Sequence, residues 1–429
     1  MSRAWAVFFL ASGNFLLSQF YRATNAVIAP QLISDLTLDT QDLGLLSAAF
    51  FYAFALTQIP ITIFLDRVGA RRMMTGLSVA GILGAFVFSW SESLALGFAG
   101  RVLLGIGMAC HLMGTLKLLT LWFDPLRFAT LSGIVFSLGT VGNMAATSPF
   151  AVLVEWIGWR DAYRAIAAAN LLLVLVFYVV VRDSPEASSR SIDGAGKPRT
   201  PFKPLADLRL LLRNRDYWII SIGSFARYGL FAAFQTLWAG PFLMEAIGLS
   251  AIAAGNLIFL LNVGMILAGP LWGTLSDRVL KTRKWLVCLD LGVLALLFMF
   301  TAFSGPGTSL ILLLIIFFST GLFQPGMLMY VQMKEIMPLR MAGAALTGVN
   351  FFTMIGAAFF LHVLGGLMQW LYPEASRSLP AFRTAFLLSA AIMASVTVLY
   401  SFSRDARSRE QGRGLDAESS VSSKSLKRR

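Results

Sequence analysis

Two arginines stand inside apolar segments, where a charge needs a reason. Arg22 shares its segment with Asn14, Ser18 and Asn25 at spacings of four, four and three, which place all four on one helix face. Arg227 lies in a second such segment with Ser224, Tyr228, Phe231, Gln235 and Trp238. A guanidinium in lipid must find a protein or aqueous partner. Its planar fork matches a carboxylate or phosphate through two parallel hydrogen bonds. The chemistry these residues point to is recognition of a small anion at Arg22, Ser18, Asn25, Arg227, Tyr228 and Gln235. The competing reading is structural, with each Arg bridging helices through carbonyls. Asn143, Gln324 and Asn350 are further polar groups in apolar runs, placed either to line a cavity or to join helices. His111 and His362 are the only histidines; an imidazole can carry a coupling proton, but a lone one is more often a packed residue.

The elements that must position these groups are membrane helices. The 429 residues are 57% hydrophobic and only 13% charged, with a mean hydropathy of +0.72. A soluble chain carries about 25% charged residues. Apolar segments long enough to span a bilayer recur near 5–28, 42–65, 73–92, 96–119, 128–153, 162–181, 216–243, 251–275, 285–303, 309–332, 341–368 and 382–402. Twelve spans with no intervening domain predict an all-α membrane protein. The segment 182–215, rich in Ser, Gly, Pro and Arg, is the only long polar interruption and reads as a linker.

The chain is also written twice. Phe64-Leu65-Asp66-Arg67-Val68 and Leu275-Ser276-Asp277-Arg278-Val279 lie 211 residues apart, and both are followed by basic residues, Arg71 and Arg72 in the first copy. Pro30 with Pro241 and Gly44 with Gly255 keep the same offset. Three landmarks at one spacing predict two copies of one half, the habit of secondary transporters. The expected division is an N-terminal bundle at 1–181, a linker at 182–215, a C-terminal bundle at 216–402 and a basic tail at 403–429.

A net charge of +13 suggests nucleic acid, but its placement points to lipid instead. Arg67, Arg71, Arg72, Arg127, Lys334, Arg340 and the linker arginines all fall on one side of the expected topology, whereas the opposite loops carry mainly Arg160, Arg164, Arg377 and Arg383. This asymmetry places both termini and the linker in the cytoplasm. Met1 to Gly13 has the look of a signal peptide, yet Pro30 has its repeat partner in Pro241, so the first helix is expected to belong to the fold. Cys110 and Cys288 both fall within spans and offer no disulfide or metal framework. The glycine runs precede no strand, so no phosphate-binding loop is present, and neither an enzyme signature nor a cofactor site is expected.

These features together resemble the major facilitator superfamily over residues 5–402. Asp66-Arg67-Val68-Gly69-Ala70-Arg71-Arg72 matches that family's signature loop between helices 2 and 3, although Thr62 stands where its leading Gly is usual. The second copy keeps Gly273 and Asp277-Arg278 but has Leu280 for the inner Gly. Arg101-Val102-Leu103-Leu104-Gly105-Ile106-Gly107 resembles the family's helix-4 motif, and Gly158-Trp159-Arg160 its helix-6 opening. The resemblance implies two pseudo-symmetric six-helix bundles that rock about a central site. Asp66, Arg67, Arg71, Asp277, Arg278 and Arg101 are then the expected gate, with the two carboxylates suited to capping helix N-termini.

The stretch Tyr21 to Pro30 is similar to helix 1 of the organophosphate:phosphate antiporters and the anion:cation symporters, in which an Arg eight residues before Pro contacts substrate. By register Arg22 pairs with Ala233, and Arg227 is displaced toward the cytoplasm. The symporters' Asp before that Arg is Tyr21 here, and their helix-4 carboxylate is absent. The leading expectation is a secondary transporter of a small organic or phosphorylated anion in a bacterial inner membrane, or in an organelle membrane derived from it. Its partners would be lipid and the substrate, with no nucleic acid, and a monomer would suffice. Two alternatives stay open: an iron or iron-chelate carrier, from similarity to magnetosome-membrane members of the superfamily, and a non-transporting ligand sensor. A bare cation fits poorly, because the spans hold almost no carboxylates and no Cys/His cluster.

Overall fold

A computed structural model describes residues 3–183, 211–280, 282–324, 326–337 and 342–405, without the side chains of residues 62, 63, 66, 125, 126, 129, 277, 278 and 342–344. The elements in the described residues are helices: α1 (Arg3–Ala23), α2 (Asn25–Leu36), α3 (Thr40–Val68), α4 (Ala70–Ser89), α5 (Leu94–Met108), α6 (His111–Trp122), α7 (Pro125–Ala145) and α8 (Ser148–Val180). The second half continues with α9 (Arg215–Ala233), α10 (Ala251–Thr274), α11 (Lys284–Phe303), α12 (Leu310–Leu322), α13 (Gly326–Ile336), α14 (Ala342–Leu371) and α15 (Leu379–Tyr400). Between α9 and α10 the chain runs on through π-helical turns at Phe234–Trp238 and Phe242–Ala246.

Nine stretches among the described residues are long and apolar enough to cross a membrane by length and composition. The three expected spans missing from that set are those near 5–28, 128–153 and 216–243. All three are helical. The first breaks between α1 and α2 at Thr24, whose hydroxyl bonds to the Tyr21 carbonyl (3.2 Å) and to Tyr163. The second stops at Ala145 and restarts at Ser148. The third carries Asp216 and Arg227 and loosens into π turns. All three contribute residues to the cavity described below, so their broken regularity and polar content belong to the site rather than to lipid.

The duplication is visible in the caps. Asp39 accepts a hydrogen bond from the Asp42 N–H (2.7 Å) at the start of α3, and Ser250, 211 residues on, accepts one from the Ala253 N–H (3.2 Å) at the start of α10. At the other end of each half, a carboxylate just past the last helix returns to the N-terminus of an earlier helix of that half, α4 in the first and α11 in the second. Asp183 Oδ1 accepts from the Arg71 N–H (2.8 Å), while Asp405 accepts from the Arg283 N–H (3.5 Å) and the Thr282 hydroxyl. These are favourable positions for negative charge at helix starts.

The halves meet along α3 against α14, α10 against α7 and α8, and α1 and α2 against the first π turn. Close approach there uses glycine. An added Cβ on Gly44 would reach 2.6 Å from the Leu361 carbonyl oxygen, and one on its repeat partner Gly255 would reach 2.8 Å from the Ser148 nitrogen. At Gly240 a Cβ would collide with the Ala26 carbonyl oxygen. The two landmark glycines are therefore seam contacts. All three lie toward the membrane face opposite the loops at 66–72 and 275–283, so the halves are sealed at that face.

Two ion pairs brace the sealed face within the halves. Asp35, at the end of α2, accepts from the Trp159 indole N–H (2.9 Å) and pairs with Arg160. Glu245 pairs with Arg377 at 3.0 Å. The Trp159 bond first, and then Arg160, hold the Asp35 carboxyl below the usual carboxylate range. Burial instead raises that of Glu245, against the opposing pull of Arg377.

Candidate functional site

Below the seal lies a cavity of about 740 Å³, lined from both halves. It runs from Arg22, Gln235 and Met265 toward Leu65, Lys334 and Leu346, which lie near the ends of α3, α13 and α14 on the side of the duplicated loops. Most of its wall is apolar: Phe15, Ile61, Leu112, Met113, Phe136 and Met354 are representative. Polar groups interrupt that wall at few points, the usual construction of a site that orients one small ligand.

Arg22 is the central polar group. It sits at the end of α1, just before the break at Thr24, and only 6% of its surface is exposed. One Nη donates to the Tyr228 hydroxyl at 3.1 Å, which joins the two halves across the cavity. The guanidinium lies over the Phe54 and Phe51 rings, at 5.1 and 5.7 Å from their centroids. Its Nε has no hydrogen-bond partner, and among the described residues no carboxylate pairs with it. A buried cation faced by aromatic rings, with an unused donor, has the chemistry to accept an anion.

Arg227 also lines the cavity, but its charge is already answered. Its Nε donates to Asp290 Oδ2, and an Nη donates to Gln324 Oε1 at 2.9 Å. Asp290 is fully buried on α11, behind Arg227 and outside the cavity wall. Arg227 and Asp290 form a buried ion pair. The expected pair of positive charges on opposite walls is thus one free cation and one ion pair. Taking one member of such a pair away strands the other in a medium of low dielectric. Arg227→Ala is therefore expected to cost about 3–5 kcal/mol of stability, read as a fall in thermal midpoint in detergent. Joint replacement of Arg227 and Asp290 by Leu should recover most of that loss. A double variant as unstable as the single one would show that the pair is not the cause.

Seven of the nine expected binding residues line this cavity: Arg22, Arg227, Tyr228, Gln235, Asn143, Gln324 and Asn350. Asn143 has an unpartnered Oδ1, and Gln235 donates to Asn262 at 2.8 Å. Asn350 donates to Gln58 at 2.5 Å and accepts from Tyr330 at 3.2 Å. Ser18 and Asn25 do not line it. Ser18 donates to the Met108 carbonyl (3.1 Å) and Asn25 to the Ser47 hydroxyl (2.8 Å), so both serve packing within the first half. The cavity face of α1 is Phe15, Gln19 and Arg22, at spacings of four and three, one residue away from the stripe read in the sequence. Gln19, Gln58, Tyr330 and Thr353 were missed. Gln19 stands beside Ser18 and Thr353 three residues from Asn350, so residue type alone does not say which of them face the cavity.

Neither histidine reaches the cavity. His111 is buried with both ring nitrogens engaged, by Ser78 (2.9 Å) and the Met108 carbonyl (3.1 Å). His362 lies at the sealed seam beside Gly44. Of the expected gate, the side chains of Asp66, Asp277 and Arg278 lie outside the described residues. Arg67 is exposed. Arg71 donates twice to the Tyr178 carbonyl (3.0 and 2.7 Å) and stacks on that ring, a contact within the first half. Arg101 is fully buried, donates to the Tyr21 carbonyl (3.0 Å) and faces Phe50 and Phe88, again within one half. Its contacts anchor the end of α1 next to Arg22 rather than bridging the seam. Among the described residues no group of three or more His, Cys, Asp or Glu is placed to hold a metal.

Comparison with known proteins gives the same outline. The family described as Major Facilitator Superfamily matches residues 10–361 and 220–429. A probable sulfoacetate transporter of Cupriavidus necator is 25% identical over 275 residues, covering 62% of this chain and 63% of that one. A probable galactarate/D-glucarate transporter of Escherichia coli is 24% identical over 310 residues, covering 65% and 67%. The chain spans 60–63% of the length of the curated relatives it matches first. A bacterial homolog of the human lysosomal transporter Spinster, solved in an inward-facing, unoccupied conformation, shares the fold. Its TM-score is 0.72 at 19% identity, with 95% of this chain and 96% of that one covered.

Proposed function

The chain belongs to the Major Facilitator Superfamily, and from that premise we propose that it is a secondary transporter of a small organic anion, with Arg22 as the residue that binds its charge. The observation that carries this reading is the unpaired guanidinium of Arg22 in a cavity shared by both halves. Relatives named for sulfoacetate and for galactarate or D-glucarate support an anionic cargo. With Arg227 held by Asp290, Arg22 is the arginine of the cavity left to take one carboxylate or sulfonate group of the cargo.

Alternating access follows from the packing. The seal at Gly44, Gly240 and Gly255 closes one face while the cavity reaches toward the other. By the positive-inside rule the open face is cytoplasmic, so the conformation is inward-facing. Transport requires the seal to open and the loop-side ends of α3, α13 and α14 to close. We place the halves at 1–181 and 216–402, in a bacterial inner membrane with both termini cytoplasmic.

The test is a counterflow screen in proteoliposomes with sulfoacetate, D-glucarate, glucose 6-phosphate and iron–citrate. Exchange of at least one of the first two, lost in Arg22→Gln, is the expected result. Exchange of iron–citrate that is indifferent to Arg22 would overturn the anion reading, and binding without flux would favour a sensor.

A further inference from the structure

The Arg227–Asp290 pair is built unlike a structural bridge in one respect. Arg227 faces the cavity, whereas Asp290 is entirely enclosed behind it. The carboxylate is therefore answered by a cation that the substrate can also reach. Asp290 Oδ2 takes the Arg227 bond, and Oδ1 has no hydrogen-bond partner at all. We propose that Asp290 is a proton-binding carboxylate that competes with the anionic substrate for Arg227, and so couples anion movement to proton movement. The proposal rests on the reading of the cavity as an anion site.

The balance is simple. An anion anchored at Arg22 and Tyr228 draws the Arg227 guanidinium toward the cavity, and the Arg227–Asp290 contact breaks. A lone carboxylate in this enclosure is strongly disfavoured. Hydronium in the aqueous cavity supplies a proton, an O–H bond forms at Oδ1, and water is left behind. The proton offsets one negative charge of the substrate, so a dianion such as sulfoacetate or D-glucarate adds a net charge of one negative unit to the site and not two. Release of the anion lets Arg227 return, and the proton leaves.

The surroundings of Asp290 leave this role to Arg227 alone. On the packed neighbouring helices the titratable group that faces it is Tyr400 on α15, while Tyr330 on α13 faces Arg227. The Tyr330 hydroxyl is engaged by Asn350 and Thr353, and the Tyr400 hydroxyl donates to Gln332 at 2.8 Å. α12 carries no titratable residue. On α11 itself the nearest are Cys288 and Lys284, the latter at the helix start. Among the described residues Arg227 is the only cation facing Asp290.

The first experiment needs no ligand. Infrared difference spectra at neutral pH should show the carbonyl stretch of a protonated carboxylic acid in Arg227→Gln, and that band should vanish in Arg227→Gln/Asp290→Asn. Gly326→Ala provides a milder variant with all charges kept, since its new Cβ would lie 2.5 Å from an Arg227 Nη; it should raise the same band. Absence of the band from both variants overturns the proposal. The second experiment adds sulfoacetate or D-glucarate to weakly buffered protein with a pH-sensitive dye. Saturation should draw about one proton per protein in the wild type and close to none in Asp290→Asn. Thermal stabilisation by either anion without proton uptake overturns the proposal. If neither anion stabilises the protein, the anion reading fails instead, and the infrared result decides the proton site by itself.

Discussion

Replacing Arg22 with Ala is expected to lower anion uptake at least about 100-fold, while the protein stays folded and inserted. A charge-assisted hydrogen bond contributes about 1.5–3 kcal/mol, and a fork offers two. Losing about 3 kcal/mol corresponds to roughly 150-fold in affinity. Arg22→Lys keeps the charge but loses the planar fork and its stacking on Phe54 and Phe51, so an intermediate loss of about 10-fold is expected. The informative control is stability. A buried cation with no carboxylate partner is a burden on the fold, so Arg22→Ala should leave the thermal midpoint unchanged or raise it. Lost uptake with a strongly lowered midpoint would mean that Arg22 is a structural bridge to Tyr228. Initial rates in proteoliposomes and thermal shifts of the same preparations decide the matter.

Gly240→Leu is expected to abolish transport by a different route. Even one added carbon would collide with the Ala26 carbonyl oxygen, which belongs to the backbone and cannot rotate away. Overpacking of this kind costs about 1–3 kcal/mol. Spent on one of two alternating states, it shifts their ratio by roughly 5–150-fold. The larger side chain should hold the sealed face apart and depopulate the conformation seen here. A single Cys placed near Gly44 should then become reactive to a membrane-impermeant thiol reagent, although it is protected in the parent. Ala26→Gly should not rescue the variant, because the clash is with main chain. Normal flux in Gly240→Leu would show that the sealed face need not pack this closely during transport.

Much of the architecture was legible because lipid imposes a simple rule on composition, and because the chain repeats itself. The 211-residue offset located the capping positions Asp39 and Ser250 and the seam glycines Gly44 and Gly255, even though only the glycines were read as landmarks. The polar residues of the cavity were legible one at a time, since a lone amide or guanidinium in a span has few other uses. Their direction was harder. A helical wheel fixes a face only to within a residue, so Ser18 and Asn25 were taken for Gln19. The break at Thr24 changes the face as well, and nothing in the type of residue 24 announces it. Least legible was the partner of Arg227. Asp290 is 63 residues away, and its helix approaches Arg227 only through tertiary packing. That pairing changed the site from two free charges to one.

The carboxylates at Asp183 and Asp405 have a meaning beyond capping. Each stands just past the last helix of its half and is fastened to the start of an earlier helix of that same half, α4 or α11. Every half is thus closed on itself, its tail tucked into its own middle before the chain moves on. In evolutionary terms, a half closed in this way has the form that duplication of one ancestral unit would leave.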